Sequence, residues 1–402
     1  MKKILFTAVL LCTFSLLNAA PDTWVQKSSL PSSPRAGLVA FAIGGFGYAG
    51  TGLDSSGHLL NDFWKYDASN DSWSQVSSFP GTPRKNAVAF VTDTFAYVGS
   101  GTDSIGLTKD FYRFDAAANS WIQIDDLDSA NATNPRRDAA AFAINNKGHV
   151  VGGYDGTSKY TKDNWVYDAW ADTVWLKRKS FPLDGRRWAT AFATGGFGFV
   201  GMGYNYSQEY FGDFWKYDPS TNAWTQVANF PGNIRSDAPA FVINGYAFAG
   251  AGFDGAKRGD FYRYDYVANA WSAIAPYGGN PTSSASAFTL NGNGYVVGGI
   301  DTFGYKSELW EYTPDNIVGI PTPDAEVIAV YPNPASSVIR INNKAYPEST
   351  FRFFDTTGKL LIDQKLTNEK SDINVAMFPR GIYYFSILIP GNNSVTGKVI
   401  LE

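Results

Sequence analysis

The sequence predicts an all-β protein made of six repeated units and a smaller β-rich module after them. Two observations carry the prediction: one motif recurs six times between residues 22 and 315, and a different pattern begins near residue 327. Composition agrees, because 16% of the residues are aromatic and 40 are glycine. Aromatic-rich segments punctuated by glycine are typical of short strands joined by tight turns rather than of helical bundles.

Each repeated unit contains the same segments in the same order. An apolar run that ends in Ala-Phe or a close variant is followed by a glycine-rich strand, an acid, an aromatic strand and then a tryptophan. The phenylalanines of the six units are Phe41, Phe90, Phe142, Phe192, Phe241 and Phe288. The motif recurs about every 50 residues, longer than the ~40–45 residues of WD40 blades. Four short strands cannot bury both faces alone, so the units are predicted to stack radially as a six-bladed β-propeller.

The double glycines, the aromatic-x-Tyr-Asp strands and the tryptophans that follow them resemble the kelch family over roughly residues 21–315. The resemblance implies a six-bladed propeller of the type found in the central domain of galactose oxidase. The tryptophans also indicate how the ring closes, because none follows Tyr312 at the expected distance and Trp24 precedes the first unit. The N-terminal strand around Trp24 is therefore expected to complete the last blade.

Residues 1–20 have the pattern of a signal peptide. Lys2 and Lys3 precede the apolar run from Ile4 to Leu17, and small residues suited to cleavage follow it. No other segment approaches the ~20 apolar residues of a membrane span, so no transmembrane segment is expected in the mature chain. The one cysteine, Cys12, lies inside the signal peptide. Disulfides and cysteine-ligated metals are thereby excluded after cleavage.

A different pattern follows the proline-containing linker at residues 316–326. Its blocks are Val330-Tyr331-Pro332-Asn333-Pro334, Phe351 to Asp355, Gly358 to Leu361, Pro379 to Phe385, and Gly397 to Leu401. Residues 327–402 resemble the type A C-terminal sorting domain of the bacterial type IX secretion system, a small Ig-like β-sandwich. The resemblance implies binding to the type IX machinery, delivery to the cell surface or the medium, and a source among the Bacteroidota. An ordinary β-sandwich that acts as a binding appendage is the alternative.

A basic residue recurs six positions before the phenylalanine in five of the units. These residues are Arg35, Arg84, Arg136, Arg186 and Arg235, and the sixth unit has Thr282. The resemblance implies that their loops emerge near the axial channel, on the face where several kelch proteins bind ligands with arginines. The structural interpretation is that each arginine pairs with a nearby acid. Strict periodicity favours this interpretation, because a specific ligand site usually breaks the symmetry of a repeat. Ligand contact by these arginines is kept as the second interpretation.

Departures from the repeat are the better site candidates. They lie in the third and fourth units and combine arginine with tryptophan and tyrosine: Arg137, Tyr154, Tyr160, Arg187, Trp188, Tyr204, Tyr206 and Tyr210, with a long loop at residues 125–134. Exposed aromatic rings beside arginine and asparagine could stack on sugar rings and bind their hydroxyls. The alternative is that these rings pack the loops against the propeller.

Enzymatic functions find less support in the sequence. Copper radical oxidases of the kelch type need a Tyr–Cys cross-link, which the mature chain cannot form, and two histidines, His58 and His149, do not suggest a zinc site. A carbohydrate-active enzyme resembling the kelch-type sialic acid epimerases is the alternative, with Glu209 or His149 as conceivable acids or bases. We expect a binding module for a glycan or a protein, with no catalytic residues, cofactor or metal. A structural surface protein is the third possibility, and the net charge of −4 argues against nucleic acid.

Overall fold

The computed structural model describes residues 22–93, 95–127, 135–157, 160–169, 175–314, 329–331, 334–342, 348–356, 359–368, 370–388 and 395–401. The predicted signal peptide, the linker at 316–326 and most of the loop at 125–134 lie outside these residues. The described residues form strands and turns, and none of them belongs to a helix long and apolar enough to cross a membrane.

The first 15 strands in chain order are β1 (Thr23–Lys27), β2 (Arg35–Ala36), β3 (Val39–Ile43), β4 (Phe46–Gly50), β5 (Leu53–Asp54), β6 (Phe63–Asp67), β7 (Ser72–Val76), β8 (Val88–Val91), β9 (Ala96–Thr102), β10 (Leu107–Asp115), β11 (Ser120–Ile124), β12 (Ala140–Ile144), β13 (Lys147–Tyr154), β14 (Tyr160–Asp168) and β15 (Leu176–Arg178). The next 13 are β16 (Thr190–Thr194), β17 (Phe197–Gly201), β18 (Phe214–Asp218), β19 (Ala223–Val227), β20 (Ala240–Ile243), β21 (Tyr246–Gly250), β22 (Phe261–Asp265), β23 (Ala270–Ala273), β24 (Ser286–Leu290), β25 (Asn293–Val297), β26 (Ile300–Asp301), β27 (Gly304–Tyr305) and β28 (Leu309–Thr313).

These strands build six antiparallel four-stranded sheets, the blades of a propeller. Blade one is β3-β4-β6-β7, blade two β8 to β11, blade three β12 to β15, blade four β16 to β19, blade five β20 to β23, and blade six β24-β25-β28-β1. The first strand of each blade contacts the first strands of both neighbouring blades, so these six strands surround the axis. The all-β propeller predicted from the repeat is the observed fold.

Glycine in the second strand of each blade allows close packing. A Cβ atom at Gly198 would lie 2.2 Å from the ring of Phe142 in the preceding blade, and one at Gly50 would lie 2.3 Å from the ring of Phe63. Neither ring has room to move away from an added Cβ atom, because Phe63 is fully buried and Phe142 is 4% exposed. Gly198 therefore allows close packing between blades and Gly50 close packing within a blade, and the aromatic rings fill the space that the glycines leave.

The outer edge of the ring is held by tryptophan. In each blade the indole N–H of a tryptophan in the outermost strand, or directly before it, donates to a backbone carbonyl of the preceding blade, over 2.8–3.1 Å. The tryptophans are Trp24, Trp73, Trp121, Trp175, Trp224 and Trp271. Strand β1 pairs with β28 through all five of its residues, so the N-terminal strand is the outer strand of blade six. Both ends of the propeller segment thus meet in one sheet.

The C-terminal module is a two-sheet sandwich. Its strands are β29 (Ala329–Tyr331), β30 (Val338–Asn342), β31 (Thr350–Phe354), β32 (Leu360–Lys365), β33 (Lys370–Asn374), β34 (Gly381–Leu388) and β35 (Val395–Leu401), in the orders β29-β30-β33 and β32-β31-β34-β35. Ile339 and Ile341 of one sheet and Phe351, Phe353 and Ile387 of the other are fully buried in a shared core. Alternation along each strand points these residues inward.

We predict that Trp24→Ala will destabilise the whole propeller. The Trp24 ring lies 5.0–5.3 Å from the rings of Phe261, Tyr277 and Tyr312, and its N–H donates to the Ala275 carbonyl. Removal of such a ring costs about 3–5 kcal/mol of unfolding free energy. Urea denaturation followed by tryptophan fluorescence will measure the loss. Val25→Ala is the control on the same strand, and an equal effect of the two substitutions would refute a closing role for Trp24.

Candidate functional site

One ring of backbone hydrogen bonds joins the six blades on the face that carries the arginine loops. In each blade, a glycine at the end of the second strand or just after it donates its N–H to the next blade, over 2.7–2.9 Å. The acceptor is the backbone carbonyl of the residue six positions before the repeat phenylalanine, called the basic position although blade six has Thr282 there. The pairs are Gly52–Arg84, Gly101–Arg136, Gly153–Arg186, Gly203–Arg235, Gly252–Thr282 and Gly299–Arg35. The last pair joins blade six to blade one, so this ring is closed.

The side chains of the five arginines support the same ring from within blades one to five. Each guanidinium binds both carboxylate oxygens of an aspartate that lies in the third strand or directly before it. It also donates to the backbone carbonyl 16 residues after the arginine. The pairs are Arg35–Asp62, Arg84–Asp110, Arg136–Asp163, Arg186–Asp213 and Arg235–Asp260, at 2.5–2.7 Å for the shorter contact. Burial alone would raise the pKa of Asp163, but the hydrogen bond and charge of Arg136 outweigh it and lower that pKa.

These pairs change the status of the periodic arginines as site candidates. The side chains of Arg35, Arg84, Arg136, Arg186 and Arg235 are at most 3% exposed. A ligand would have to displace an aspartate and open the interior to reach them, and breaking such a buried pair costs about 3–5 kcal/mol. The geometry favours the structural interpretation, and we do not include these five residues in the proposed ligand surface.

The acids that follow the glycine-rich strands also serve the fold. Asp54 accepts from the backbone N–H groups of Ser56 and His58, and Asp103 accepts from those of Ile105 and Gly106. The same turn-forming contacts recur at Asp155, Asn205, Asp254 and Asp301. These residues shape the loop tips of this face.

A second ring lies nearer the axis and is formed by the residue two positions after each basic position. Its members are Gly37, Asn86, Asp138, Trp188, Asp237 and Ser284, all with positive φ between 52° and 63°. Five backbone N–H···O bonds of 2.8–3.2 Å connect neighbouring members of this axial ring. Only glycine adopts this conformation without strain, so the hydrogen bonds hold the other five residues in it. The ring surrounds an axial cavity of about 130 Å³.

Two carboxylates of the axial ring carry unusual electrostatics. Burial raises the pKa of Asp138 to about 6, although Arg137 and Arg187 lie 3.4 and 3.7 Å from its Oδ2 and oppose the shift. Neither oxygen of Asp138 accepts a hydrogen bond from a described residue. Burial and the nearby charge of Asp138 raise the pKa of Asp237 to about 7, while Ser284 Oγ donates to it over 2.5 Å. Asp237 stays partly open to the cavity.

Arg187 connects the axial ring to an aromatic surface. Its guanidinium lies 3.9 Å from the Trp188 ring centre, 4.9 Å from that of Tyr204 and 5.2 Å from that of Tyr160, and it donates to the Tyr204 hydroxyl. Cation–π contacts of this kind fix the guanidinium and the rings in place. The side chain of Arg187 is 15% exposed, so part of it faces solvent.

The remaining candidates extend this surface outward. Tyr160 lies 5.6–5.8 Å, edge to face, from Tyr154, Tyr204 and Tyr206. Tyr210 packs on Tyr204, and Arg137 lies 5.4 Å from the Tyr154 ring centre. Burial and a hydrogen bond with Tyr204 raise the pKa of Tyr160 to about 12. Tyr206 is 59% exposed and stands at the rim.

The structure thus gathers eight sequence-predicted residues into one patch: Arg137, Tyr154, Tyr160, Arg187, Trp188, Tyr204, Tyr206 and Tyr210. It adds Asp138 and Asp237, which the sequence reasoning missed. The sequence does contain a signal for them. The residue two positions after the basic position changes in charge and size from blade to blade, whereas the residues around it repeat. Glu209 hydrogen-bonds Asn205 in the blade-four loop, and His149 lies in the interior between blades three and four.

Among the described residues, no group of three His, Cys, Asp or Glu side chains is arranged to hold a metal ion. Asp138 is the most buried acid of the patch, and the two flanking arginines compensate its charge. The patch therefore offers aromatic faces, guanidinium donors and carboxylate acceptors to a ligand.

Comparison with known proteins agrees with the architecture. The family model of the secretion system C-terminal sorting domain matches residues 329–402, and that of the Kelch motif matches residues 192–231, which span blade four. No curated protein matches the chain. A solved structure titled "Structure of YjhT" matches with a TM-score of 0.60 at 17% identity and covers 73% of this chain and 99% of that chain. At this identity the likeness concerns the fold alone.

The chain is a kelch-type six-bladed β-propeller that carries a C-terminal secretion domain. The C-terminal domain is the sorting signal of type IX secretion, which interacts with the export machinery and directs the protein to the cell surface or the medium. Both family expectations from the sequence are confirmed.

We predict that Asp237→Asn will flatten the pH dependence of stability. A carboxyl whose pKa is raised from 3.8 to about 7 holds its proton in the folded state, so folding stability falls as the pH rises from about 4 to 7. The variant should gain at least about 1 kcal/mol of unfolding free energy at pH 8, equivalent to roughly one pKa unit, and much less at pH 4.5. Urea titrations at both pH values provide the measurement. The exposed Asp184→Asn is the control, and parallel pH profiles for Asp237→Asn and the wild type would contradict the prediction.

We predict that deletion of residues 329–402 will stop export across the outer membrane. The sandwich is the element that the secretion machinery recognises, so the propeller should accumulate in the periplasm. Cell fractionation with an antibody against the propeller will locate it. A variant with Met377→Ala, at an 80% exposed position of the same module, should still be exported. Surface display of the truncated protein would refute the sorting role.

Proposed function

We propose that this exported propeller is a glycan-binding module. The observation that carries the proposal is the patch of five tyrosines and Trp188 around Arg187, next to the axial carboxylate Asp138. Sugar rings bind proteins through stacking on aromatic faces combined with hydrogen bonds to hydroxyls. The patch departs from the sixfold repeat. The periodic charged side chains of the same face, in contrast, already form ion pairs or hydrogen-bond the turns of their own loops.

Geometry favours recognition at the surface rather than in a deep pocket. The axial cavity of about 130 Å³ is too small for a sugar ring, since ligand pockets are about 300–1,000 Å³. A ligand therefore lies across Tyr206, Tyr160 and Trp188, with a hydroxyl directed at the axial carboxylates. A protein ligand that uses the same patch is the other form of this proposal, because exposed tyrosine, tryptophan and arginine also dominate protein interfaces.

A carbohydrate isomerase is the second candidate function. It is favoured by one observation: Asp138 and Asp237 line the axial cavity, and burial raises both pKa values toward neutrality, where an acid–base pair works best. Because the cavity does not admit a sugar ring, the pair would act on the end of a sugar that lies on the aromatic patch. Proton NMR of reducing sugars incubated with the protein would reveal accelerated exchange between anomers or epimers. Loss of that activity in Asp237→Asn, with glycan binding retained, would assign catalysis to the pair.

The route of delivery completes the proposal. Residues 1–20 are taken as the signal peptide that carries the chain to the periplasm before type IX export, and the source as a member of the Bacteroidota. N-terminal sequencing of the protein recovered from the medium would test cleavage after Ala19 or Ala20.

We predict that the triple variant Arg187→Ala, Trp188→Ala, Tyr206→Ala will lose at least tenfold in glycan affinity. Stacking contacts and guanidinium hydrogen bonds each contribute about 1 kcal/mol, so three losses exceed the 1.4 kcal/mol of a tenfold change. A glycan array identifies the ligand, and isothermal titration measures the affinity.

The matched control is Phe303→Ala. Phe303 is 84% exposed on the loop of blade six that corresponds to the Tyr206 loop, and it lies outside the patch. It should leave affinity unchanged. Equal binding by the wild type and the triple variant would overturn the proposed surface, and capture of a protein but no glycan would favour the protein form.

A further inference from the structure

Blade three departs from the repeat in its interior as well as in its loops. His149 stands where the other blades have an aromatic ring, namely Tyr48, Tyr97, Phe199, Phe248 and Tyr295. Asn164 stands where they have Phe63, Phe111, Phe214, Phe261 and Leu309. Arg178 pairs with Asn164 in register, at the position of Val76, Ile124 and Val227. Three adjacent positions that are apolar or aromatic in most other blades are thus polar here.

His149 is buried, and one of its ring nitrogens has no partner in the part of the chain that the structure describes. Its ring stacks on Phe142 at 4.7 Å, and Nδ1 lies 3.1 Å from Asn164 Oδ1. An amide oxygen only accepts, so Nδ1 donates and Nε2 holds the lone pair. Among the described residues none hydrogen-bonds Nε2. Burial lowers the pKa of His149 to about 4, so the ring is a neutral acceptor at physiological pH.

Four other blades have a cation–π pair in this region, and the described residues of blade three do not form it. Those pairs are Lys65–Phe46, Arg113–Phe95, Lys216–Phe197 and Arg263–Tyr246. In blade three the cation position is Val166 and the ring position is Lys147, whose ammonium turns to Asp168. Both Val166 and Lys147 line a cleft of about 440 Å³.

This cleft lies between blades three and four and has one polar and one apolar side. His149 and Arg178 come from blade three, while Tyr217 and Pro219 come from blade four. Arg178 has no ion-pair partner among the described residues. Since Asp168 compensates Lys147, Arg178 is the one free cation that the described residues present to this cleft.

The corresponding cleft between blades two and three shows what is special here. It measures about 400 Å³ and is lined by Ile122, Ile124, Arg113 and Tyr167 among others. Blade two has Tyr97 at the position of His149 and Ile124 at the position of Arg178. The two clefts are therefore alike in size, and the histidine and the free arginine distinguish the second one.

We infer that the cleft between blades three and four binds a hydroxy-carboxylate of monosaccharide size. The carboxylate pairs with the Arg178 guanidinium, and a hydroxyl donates to His149 Nε2. The carbon face of the ligand packs on Tyr217 and Pro219. One free cation suits one carboxylate rather than a polyphosphate, and a neutral imidazole suits a hydroxyl rather than a second anion. This site is separate from the aromatic patch and does not depend on the glycan proposal.

The two histidines of the chain make the test direct. The full chain is labelled with ¹⁵N-histidine, and D-glucuronate is added up to millimolar concentration as the probe. We expect the His149 Nε2 resonance to shift with saturation while His58, 75% exposed on its loop, stays unchanged. D-glucose, which lacks the carboxylate, should bind with at most a tenth of the affinity of D-glucuronate.

Variants that restore the repeat complete the experiment. Arg178→Val introduces the residue of blades one and four and should reduce glucuronate affinity at least tenfold without unfolding the blade. Lys27→Val removes the cation at the same position of blade six and should leave affinity unchanged. A His149 resonance that does not respond to glucuronate, or that responds equally in Arg178→Val, would overturn the inference. So would equal binding of glucose and glucuronate.

Discussion

The interblade hydrogen bond from a glycine N–H to the carbonyl of the basic position is the contact on which the propeller depends. It recurs six times and closes between Gly299 and Arg35. Each donor strand must turn through a left-handed residue, and the buried arginine holds the carbonyl of that residue. The aspartate partner is in turn required because an unpaired guanidinium could not be buried. One backbone contact therefore explains the glycines of all six blades and the arginine–aspartate pairs of five of them, the sixth having Thr282 at the arginine position.

Because the paired arginines and aspartates serve the fold, few charged side chains of this face are left to contact a ligand. The face of a propeller is crowded with loops, yet most of its charged groups hold their own turns or blades together. Arg187 is an exception, because its neighbours are rings rather than a bidentate carboxylate. Asp138 and Asp237 are further exceptions, placed in the axial ring by a backbone hydrogen bond that is indifferent to the side chain. Because the backbone hydrogen bonds hold these positions, their side chains differ from blade to blade, and polar groups collect there.

Blade three uses the same freedom in its interior. The other blades have a tyrosine or phenylalanine ring at the His149 position, and blade three tolerates histidine because its ring still stacks on Phe142. Blade three has Asn164 where most blades have phenylalanine, and Val151 beside it where those blades have glycine. The two changes together conserve the side-chain volume of the pair while they change its polarity. The aromatic patch and the cleft are both formed by blades three and four, and both arise where the repeat is broken.

The sequence by itself determined the number of blades, the closing strand around Trp24 and the secretion module, because these depend on local periodicity and on motifs. It also selected the residues of the aromatic patch, since a departure from a sixfold pattern can be read from one chain. Only the tertiary structure decided that Arg35 and its four counterparts are buried while Arg187 is partly open. It likewise brought Asp138 near Asp237 and His149 near Arg178. Burial and the approach of charges from different blades are properties of the closed ring, and residue spacing along the chain does not contain them.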